Sequence, residues 1–415
     1  MIVVHIATSL AGGAGLGLLR YHRALRAQGV DSRLLVLKPP AGLGSEADSI
    51  TWQKHPLPFR LAQRLGLAHT PEQRLHRRLV ALAGPADAAA YELFTLPHSD
   101  YRPEDHPWVQ SAAVINLHWV AGILDWPRFL GTCTQPVVLT LHDQQPYLGG
   151  FHYALDAAAN PALAVLEAEV RTIKQRALQD HRLCVIANSA WNATEAAASG
   201  FFPAGTPIET ILYPLDTTLY APRPKAAAKA ALDLAANQLV VGFACENLNN
   251  RRKGFADLVA ALALLPADLR GKITLLSFGR DPATDLRALV NLPWRHLGYL
   301  ETEEAKVAAY AAMDLFVAPS RAEAFGLTAI EAQATGVPVV ATPVGGLLEA
   351  VPTAREDYGE GSPSPEHLAA ALERLLSDAA RREQRATNGR QSVIARHNPA
   401  AVGRQLADFH RRACA

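Results

Sequence analysis

Ser320-Arg-Ala-Glu323-Ala-Phe325-Gly326-Leu327-Thr328-Ala-Ile-Glu331-Ala-Gln-Ala-Thr-Gly336-Val-Pro338-Val-Val340 sets two carboxylates eight positions apart around a glycine turn and a helix start. The apolar run Leu315 to Ala318 before it reads as a buried strand, and Gly326-Leu327-Thr328 opens a short helix that Gly336 and Pro338 end. Glu323 therefore falls on a loop and Glu331 in the first turns of a helix. The N–H groups at a helix start are free of intrahelical partners and carry partial positive charge, so the amides near Leu327 and Thr328 can hold a diphosphate. Carboxylates only accept hydrogen bonds, which suits Glu323 and Glu331 to the hydroxyls of a hexose and a ribose. The plainer reading makes Glu331 a solvated helix residue favoured by the helix dipole and Glu323 an ordinary loop carboxylate.

Away from this segment, short apolar runs alternate with helix-length stretches through both halves, the pattern of α/β layers with mainly parallel sheets. Expected strands are Ile2–Ala7, Arg33–Leu37, Val114–Leu117, Val137–Leu141 and Leu183–Ala187, then Leu239–Ala244, Ile273–Ser277, His296–Leu297, Leu315–Ala318 and Val339–Thr342. The prolines between Tyr213 and Pro224 read as a linker, with a boundary near residue 216. Residues 398 to 412 carry apolar side chains at helical spacing.

Three further stretches carry candidate chemistry. After the first strand, Thr8-Ser-Leu-Ala-Gly12-Gly13-Ala-Gly15 precedes a predicted helix Leu18–Gln28, and glycines there permit a tight turn or close approach to a ligand. Their spacing is not G-x-G-x-x-G, so a dinucleotide fingerprint is not present. Asn250-Arg251-Arg252-Lys253-Gly254 follows the first strand of the second half; fixed cations there can neutralise charge on a departing diphosphate, although a basic triplet also reads as a solvated turn. His118 and His142 close apolar strands, where α/β folds place ligand-facing groups, and each also reads as a structural histidine.

With its flanking strand, the Phe325-Gly326-Leu327 turn and the later Gly345-Gly346, the carboxylate pair resembles that of glycosyltransferase family 4, the retaining, nucleotide-sugar-dependent enzymes of GT-B architecture. The resemblance runs over most of the chain. It implies two Rossmann-like domains facing a central cleft: an acceptor-side domain over 1–215, a nucleotide-sugar domain over 216–396, and a C-terminal helix over 397–415 that crosses back to the first. Thr140-Leu-His142-Asp143, with the later Gly149-Gly150 and His152-Tyr153, is similar to an exopolysaccharide-type branch, in which His142 faces the transferred sugar.

By that match the catalytic set is His142, Glu323, Lys253 and Arg252. The donor set is Gly13, Gly15, Arg252, Lys253, Glu323, Phe325, Gly326, Leu327, Thr328 and Glu331. His118, Asp143, Tyr147 and His152 are the acceptor-side candidates. The usual arginine position of the family holds Leu248, so Arg252 or Arg251 has to substitute, and Phe151 and Ala157 stand where branch members often carry cysteines. The implied reaction is retaining transfer of a hexose-type sugar from a UDP or GDP sugar to a glycan or lipid-linked acceptor in surface polysaccharide biosynthesis. A nucleotide-sugar epimerase or hydrolase without a glycan acceptor is the alternative, and a catalytically silent binding module a third.

Composition limits the rest. The 415 residues suffice for two domains, and a net charge of +1 gives no electrostatic reason to expect nucleic acid. No D-x-D occurs, so no metal and no cofactor beyond the nucleotide sugar is expected. Cys133, Cys184, Cys245 and Cys414 are scattered and expected to be reduced and mostly buried. No apolar run reaches the ~18 residues of a membrane span and no signal peptide is evident, so a cytoplasmic location is expected. Leu57–Ala83 carries Arg60, Arg64, Arg74, Arg77 and Arg78 against the single acid Glu72. It reads as a pair of basic amphipathic helices that rest on the anionic inner face of a membrane, or as a solvated insertion packed on the first domain.

Overall fold

Apolar runs of four to six residues have no polar face to turn to water, and here they become parallel strands covered on both sides. Five of them, with two short edge strands, build the first sheet: Ile2–Ile6 (β1), Asp31–Val36 (β2), Ala47–Ser49 (β3), Val114–Leu117 (β4), Val137–Leu141 (β5), Leu183–Ala187 (β6) and Ile208–Thr210 (β7), in the order β3-β2-β1-β4-β5-β6-β7. Alternation along β2 shows the double cover: Leu34 and Val36 pack with Leu18, while Leu35 joins Val4, Ile6 and Ile115 on the opposite face. The second sheet holds Leu239–Asn247 (β8), Ile273–Arg280 (β9), Trp294–His296 (β10), Leu315–Ala318 (β11) and Val339–Ala341 (β12), in the order β10-β9-β8-β11-β12, all parallel.

The computed structural model describes residues 1–83, 91–358 and 364–414. It divides into unit 1, Met1–Tyr213 with Ala400–Ala415, and unit 2, Pro214–Pro399. Each is a Rossmann-like α/β unit, the fold class read from the sequence. The helix Pro399–Cys414 buries Val402, Leu406, Phe409 and His410 in unit 1, and Gly403 there lies so close to the Ala24 carbonyl that a Cβ would come within 2.7 Å of it.

Several local expectations change. The helix expected from Leu18 begins at Gly12, so the glycine-rich stretch forms its first turns rather than a loop. Close approach explains this: a Cβ on Gly17 would lie 2.4 Å from the Tyr213 ring, and Gly15 sits directly on the Leu10 backbone. β3 and β7 were not expected; they are three-residue edge strands, Ala-Asp-Ser and Ile-Glu-Thr, with no apolar run to announce them. Of the four cysteines, all free, only Cys133 is buried and the other three are partly exposed. Leu57–Ala83 forms two helices, Leu57–Arg64 and Pro71–Ala83. The second packs Leu75 and Leu79 against Phe94, Phe151 and Leu166, as an insertion would, whereas the first buries nothing and leaves Leu57 62% and Leu61 50% exposed. Among the described residues no helix is long and apolar enough to cross a membrane.

Candidate active site

In unit 2 the strand order reverses between β8 and β11, and in open parallel sheets ligands bind beyond the strand ends at such a switch point. The two loops there carry the basic triplet and Glu323. β8 ends at Asn247, Leu248 turns into the core, and Asn250 caps a single 3-10 turn, Arg251–Lys253, by accepting from the Arg252 N–H. Gly254 follows with φ 71°, and a Cβ there would lie 1.9 Å from the Pro319 carbonyl, so only glycine lets the two loops touch. Contact is then continuous: the Arg321 N–H donates to the Arg252 carbonyl at 2.8 Å, and Arg252 Nη1 donates to the Ala322 carbonyl at 2.9 Å.

This closure brings charge together. Lys253 Nζ lies 2.5 Å from Glu323 Oε2, Arg252 Nη1 lies 3.7 Å from the same oxygen, and Ser320 Oγ donates to it at 3.3 Å. Burial alone pushes the Glu323 carboxyl up, but Lys253 and Arg252 outweigh it and hold the carboxyl below its usual range. Arg252 is the arginine turned inward; Arg251 points to solvent. Gly346 N–H fixes the Glu323 carbonyl at 2.9 Å, so the Gly345-Gly346 pair anchors the loop.

Gly326, at φ 111°, starts the helix Leu327–Ala334 without any side-chain cap, which leaves Leu327 and Thr328 at an uncovered N-terminus. Phe325 is buried against the His397 ring. Glu331 is no solvated helix residue: it is 2% exposed and accepts a hydrogen bond from the Tyr310 hydroxyl at 3.1 Å. Tyr310, on the helix Glu303–Ala311, gave no sequence signal, since an aromatic at helical spacing reads as core. Arg252, Lys253, Glu323, Phe325, Gly326, Leu327, Thr328 and Glu331 thus all lie in unit 2, on the two switch-point loops and the helix that follows.

The remaining candidates lie in unit 1. Gly13 and Gly15 occupy the first turns of the helix Gly12–Ala27, Gly13 exposed and Gly15 buried. His142, just past β5, spends both ring nitrogens on its own unit: Nε2 lies 2.8 Å from His118 Nδ1, and Nδ1 lies 2.6 Å from the Tyr213 hydroxyl. Burial holds the His142 imidazole down at about 4 against the opposing Asp143 charge. Asp143 pairs with His152 at 2.7 Å and accepts from the Trp119 indole N–H at 3.2 Å. Burial pushes the Asp143 carboxyl up, yet His152 and the Gln145 N–H hold it below its usual range. Tyr147 is buried and donates to Asn192 Oδ1. All four acceptor-side candidates, His118, Asp143, Tyr147 and His152, are therefore buried and hydrogen-bonded within unit 1.

Residues 238–378 match the model of the family Glycosyl transferases group 1. The D-inositol 3-phosphate glycosyltransferase of Gordonia bronchialis is 29% identical over 289 residues, 66% of this chain and 60% of that protein. The chain thus spans about three fifths of that relative's length. Sucrose-phosphate synthase from Thermosynechococcus elongatus superposes with a TM-score of 0.71 at 22% identity, covering 99% of both chains. Anabaena HepE, solved in complex with UDP-glucose, superposes with a TM-score of 0.66 at 20% identity, covering 99% of this chain and 100% of its own. Paired Rossmann-like units with these neighbours define a GT-B protein. The group 1 match lies in the second unit, and with the Gordonia bronchialis relative it supports the resemblance to glycosyltransferase family 4.

Proposed function

We propose that the protein transfers a hexose-type sugar from a nucleoside diphosphate sugar to a glycan or lipid-linked acceptor, with retention at the anomeric carbon, in surface polysaccharide biosynthesis. The observation that carries this reading is the cluster of Lys253, Arg252 and Glu323 beside the uncapped start of the helix Leu327–Ala334. Two cations and a set of backbone N–H groups at one strand-end crevice suit a diphosphate. In the resting protein Lys253 is held by Glu323; a bound diphosphate offers it stronger anionic oxygens, and the freed Glu323 then accepts from sugar hydroxyls. Arg252 and Lys253 stabilise the charge that collects on the departing diphosphate, while Glu331 serves the ribose through what surface it presents.

The cations supply this neutralisation without a metal, so transfer is proposed to need no divalent ion. UDP or GDP sugars are the proposed donors, and the HepE complex with UDP-glucose supports the donor class. The exposed leucines and exposed Arg60 and Arg64 of the helix Leu57–Arg64 support peripheral contact with an anionic membrane from the cytoplasmic side. Co-sedimentation with anionic vesicles that weakens as salt rises is the expected outcome, and equal binding to neutral vesicles counts against that contact.

The transfer reading is tested by donor turnover with and without added glycan or lipid-linked acceptors, followed by NMR assignment of the product anomer. Turnover that depends on acceptor and retains configuration supports it. Equal turnover without acceptor assigns the protein to the epimerase or hydrolase class instead, and an inverted product rejects retention.

A further inference from the structure

The imidazoles of unit 1 form a continuous ladder across three neighbouring strands. His5 lies on β1, His118 follows β4 and His142 follows β5, strands adjacent in the sheet. His5 Nδ1 is 2.8 Å from His118 Nε2, His118 Nδ1 is 2.8 Å from His142 Nε2, and His142 Nδ1 is 2.6 Å from the Tyr213 hydroxyl. Every member is buried.

A neutral imidazole carries one N–H, so each ring in such a chain donates in one direction and accepts in the other, and all rings must point the same way. The Tyr213 end favours one direction. The phenol oxygen lies 2.6 Å from His142 Nδ1 and accepts from Asn188 Nδ2 at 3.2 Å, so its own proton is placed to go to His142. The phenol proton therefore goes to His142 Nδ1, His142 Nε2–H to His118 Nδ1, and His118 Nε2–H to His5 Nδ1. The chain ends at His5 Nε2, which is buried without a partner. Moving every proton one step toward His5 would leave a tyrosinate at one end and a buried imidazolium at the other, so the protons do not shift along the ladder and His5 keeps its Nε2–H.

We propose that His118, backed by His5, is a positioning residue that, with Tyr213 on the far side of the ring, locks His142 as the uncharged Nε2–H tautomer. This rests on the role given to His142 in sugar transfer. A transition state that leaves positive charge on the sugar is opposed by a nearby imidazolium and tolerated by a neutral ring. The titratable and charged groups facing the ladder are Tyr21 and His22 on the helix Gly12–Ala27, His410 on the C-terminal helix, and Asp143. Burial acts first on each ring: it holds His142 and His410 at about 4, and with the neighbouring imidazoles it holds His5 and His118 well below the usual 6.5.

Long-range nitrogen–proton NMR of the full-length protein, labelled at histidine, reads tautomer and charge ring by ring. The expected wild-type spectrum between about pH 5 and 8 shows His142 and His118 each as a single neutral Nε2–H form. His118→Asn should give His142 a mixture of tautomers, with kcat falling at least about tenfold while donor KM stays within about twofold. His5→Phe removes the acceptor at the far end, leaves His118 Nε2–H unpaired and should admit the reverse direction. An Nδ1–H form or an imidazolium at His142 in the wild type overturns the proposal, even if neither variant folds. So does a His142 spectrum unchanged in folded His118→Asn. These spectra are independent of turnover, so a protein that does not transfer sugar leaves the tautomer result standing and removes only the catalytic meaning given to it.

Discussion

Unit 2 and unit 1 build their candidate sites in opposite ways. In unit 2 two cations and a carboxylate meet beside a helix start, and Lys253, only partly buried, has a partner that a phosphate can replace. In unit 1 the chemistry-bearing side chains are buried, the imidazoles are uncharged, and their ring nitrogens are satisfied by one another up to the end of the ladder at His5. On the proposed function, the difference assigns ligand affinity to unit 2 and geometric control to unit 1. A charge cluster at the surface of a switch point can exchange partners with a ligand. A closed ladder has nothing to exchange and acts by holding one ring in one state.

Lys253→Ala tests the charged side of this contrast and should have the largest effect. It removes the cation proposed to meet developing phosphate charge and leaves Glu323 with Arg252 at 3.7 Å. Loss of one such stabilising group costs about 100- to 1000-fold in kcat, measured by steady-state turnover of the sugar nucleotide. Turnover within about threefold of wild type would mean that unit 2 does not work through this cluster, and the contrast between the units would collapse.

Much of this was legible in the sequence, and what was not has local causes. Strands buried on both faces, such as Val137–Leu141 and Leu315–Ala318, announce themselves as apolar runs. Edge strands such as Ile208–Thr210 are half in water and carry no such signal. Gly12 to Gly17 read as a loop because glycine disfavours helices, yet here the Tyr213 ring fills the space a side chain would need, a long-range contact that local propensity cannot register. At the candidate site the motif residues were visible one at a time. The Lys253–Glu323 pair spans 70 positions and Glu331 meets Tyr310 from a different helix, so those partnerships exist only in the fold. His118 and His142 stood out as strand ends; His5, one strand over, did not, because strand order is not written in periodicity.

Acid should separate the two regions by where their losses begin. His142 and His410 are held at about 4 in the folded protein against a usual 6.5, so the unfolded chain binds more protons between these values. Their contribution to stability is present in full above about pH 6.5 and lost as pH falls toward 4, with roughly 2 kcal/mol per ring already lost at pH 5. Glu323 is depressed below its usual 4.5, so its contribution is present above that value and lost only as pH falls through the lower folded value. Thermal unfolding of the full chain from pH 7 to 4 should show a fall that starts near 6.5. A flat profile down to pH 5 would mean that the imidazoles are not held neutral by the fold, and the contrast would lose its unit 1 half.

Glu331→Ala is expected to act more modestly and on binding. Its ribose contact would be present with substrate and product alike, and a hydrogen bond to a charged group is worth roughly 1.5–3 kcal/mol. Affinity for the nucleoside diphosphate and for the sugar nucleotide should both fall, by about 10- to 100-fold in calorimetry. Tyr310→Phe leaves the carboxylate in place and removes only the donor at 3.1 Å, so it should reproduce a small part of that loss. If both ligands bind Glu331→Ala as well as wild type, Glu331 is a structural acid buried for Tyr310.

Glu323→Ala should move nucleoside diphosphate binding least of all, and the small shift has a sign. In the resting protein the carboxylate holds Lys253 at 2.5 Å and competes with any phosphate for it. Removing that competitor frees the cation, so the bare nucleoside diphosphate should bind equally well or up to about threefold more tightly, a change under about 1 kcal/mol because Lys253 is partly exposed. Turnover should nevertheless fall, since Glu323 is assigned to sugar hydroxyls whose position changes during transfer. Calorimetry with the nucleoside diphosphate on the Glu323 and Glu331 variants together decides the matter. If Glu323→Ala loses that affinity while Glu331→Ala keeps it, the two carboxylates have exchanged roles. If neither variant changes binding or rate, the pair serves the fold of unit 2, and its charge cluster is as closed to ligands as the imidazole ladder of unit 1.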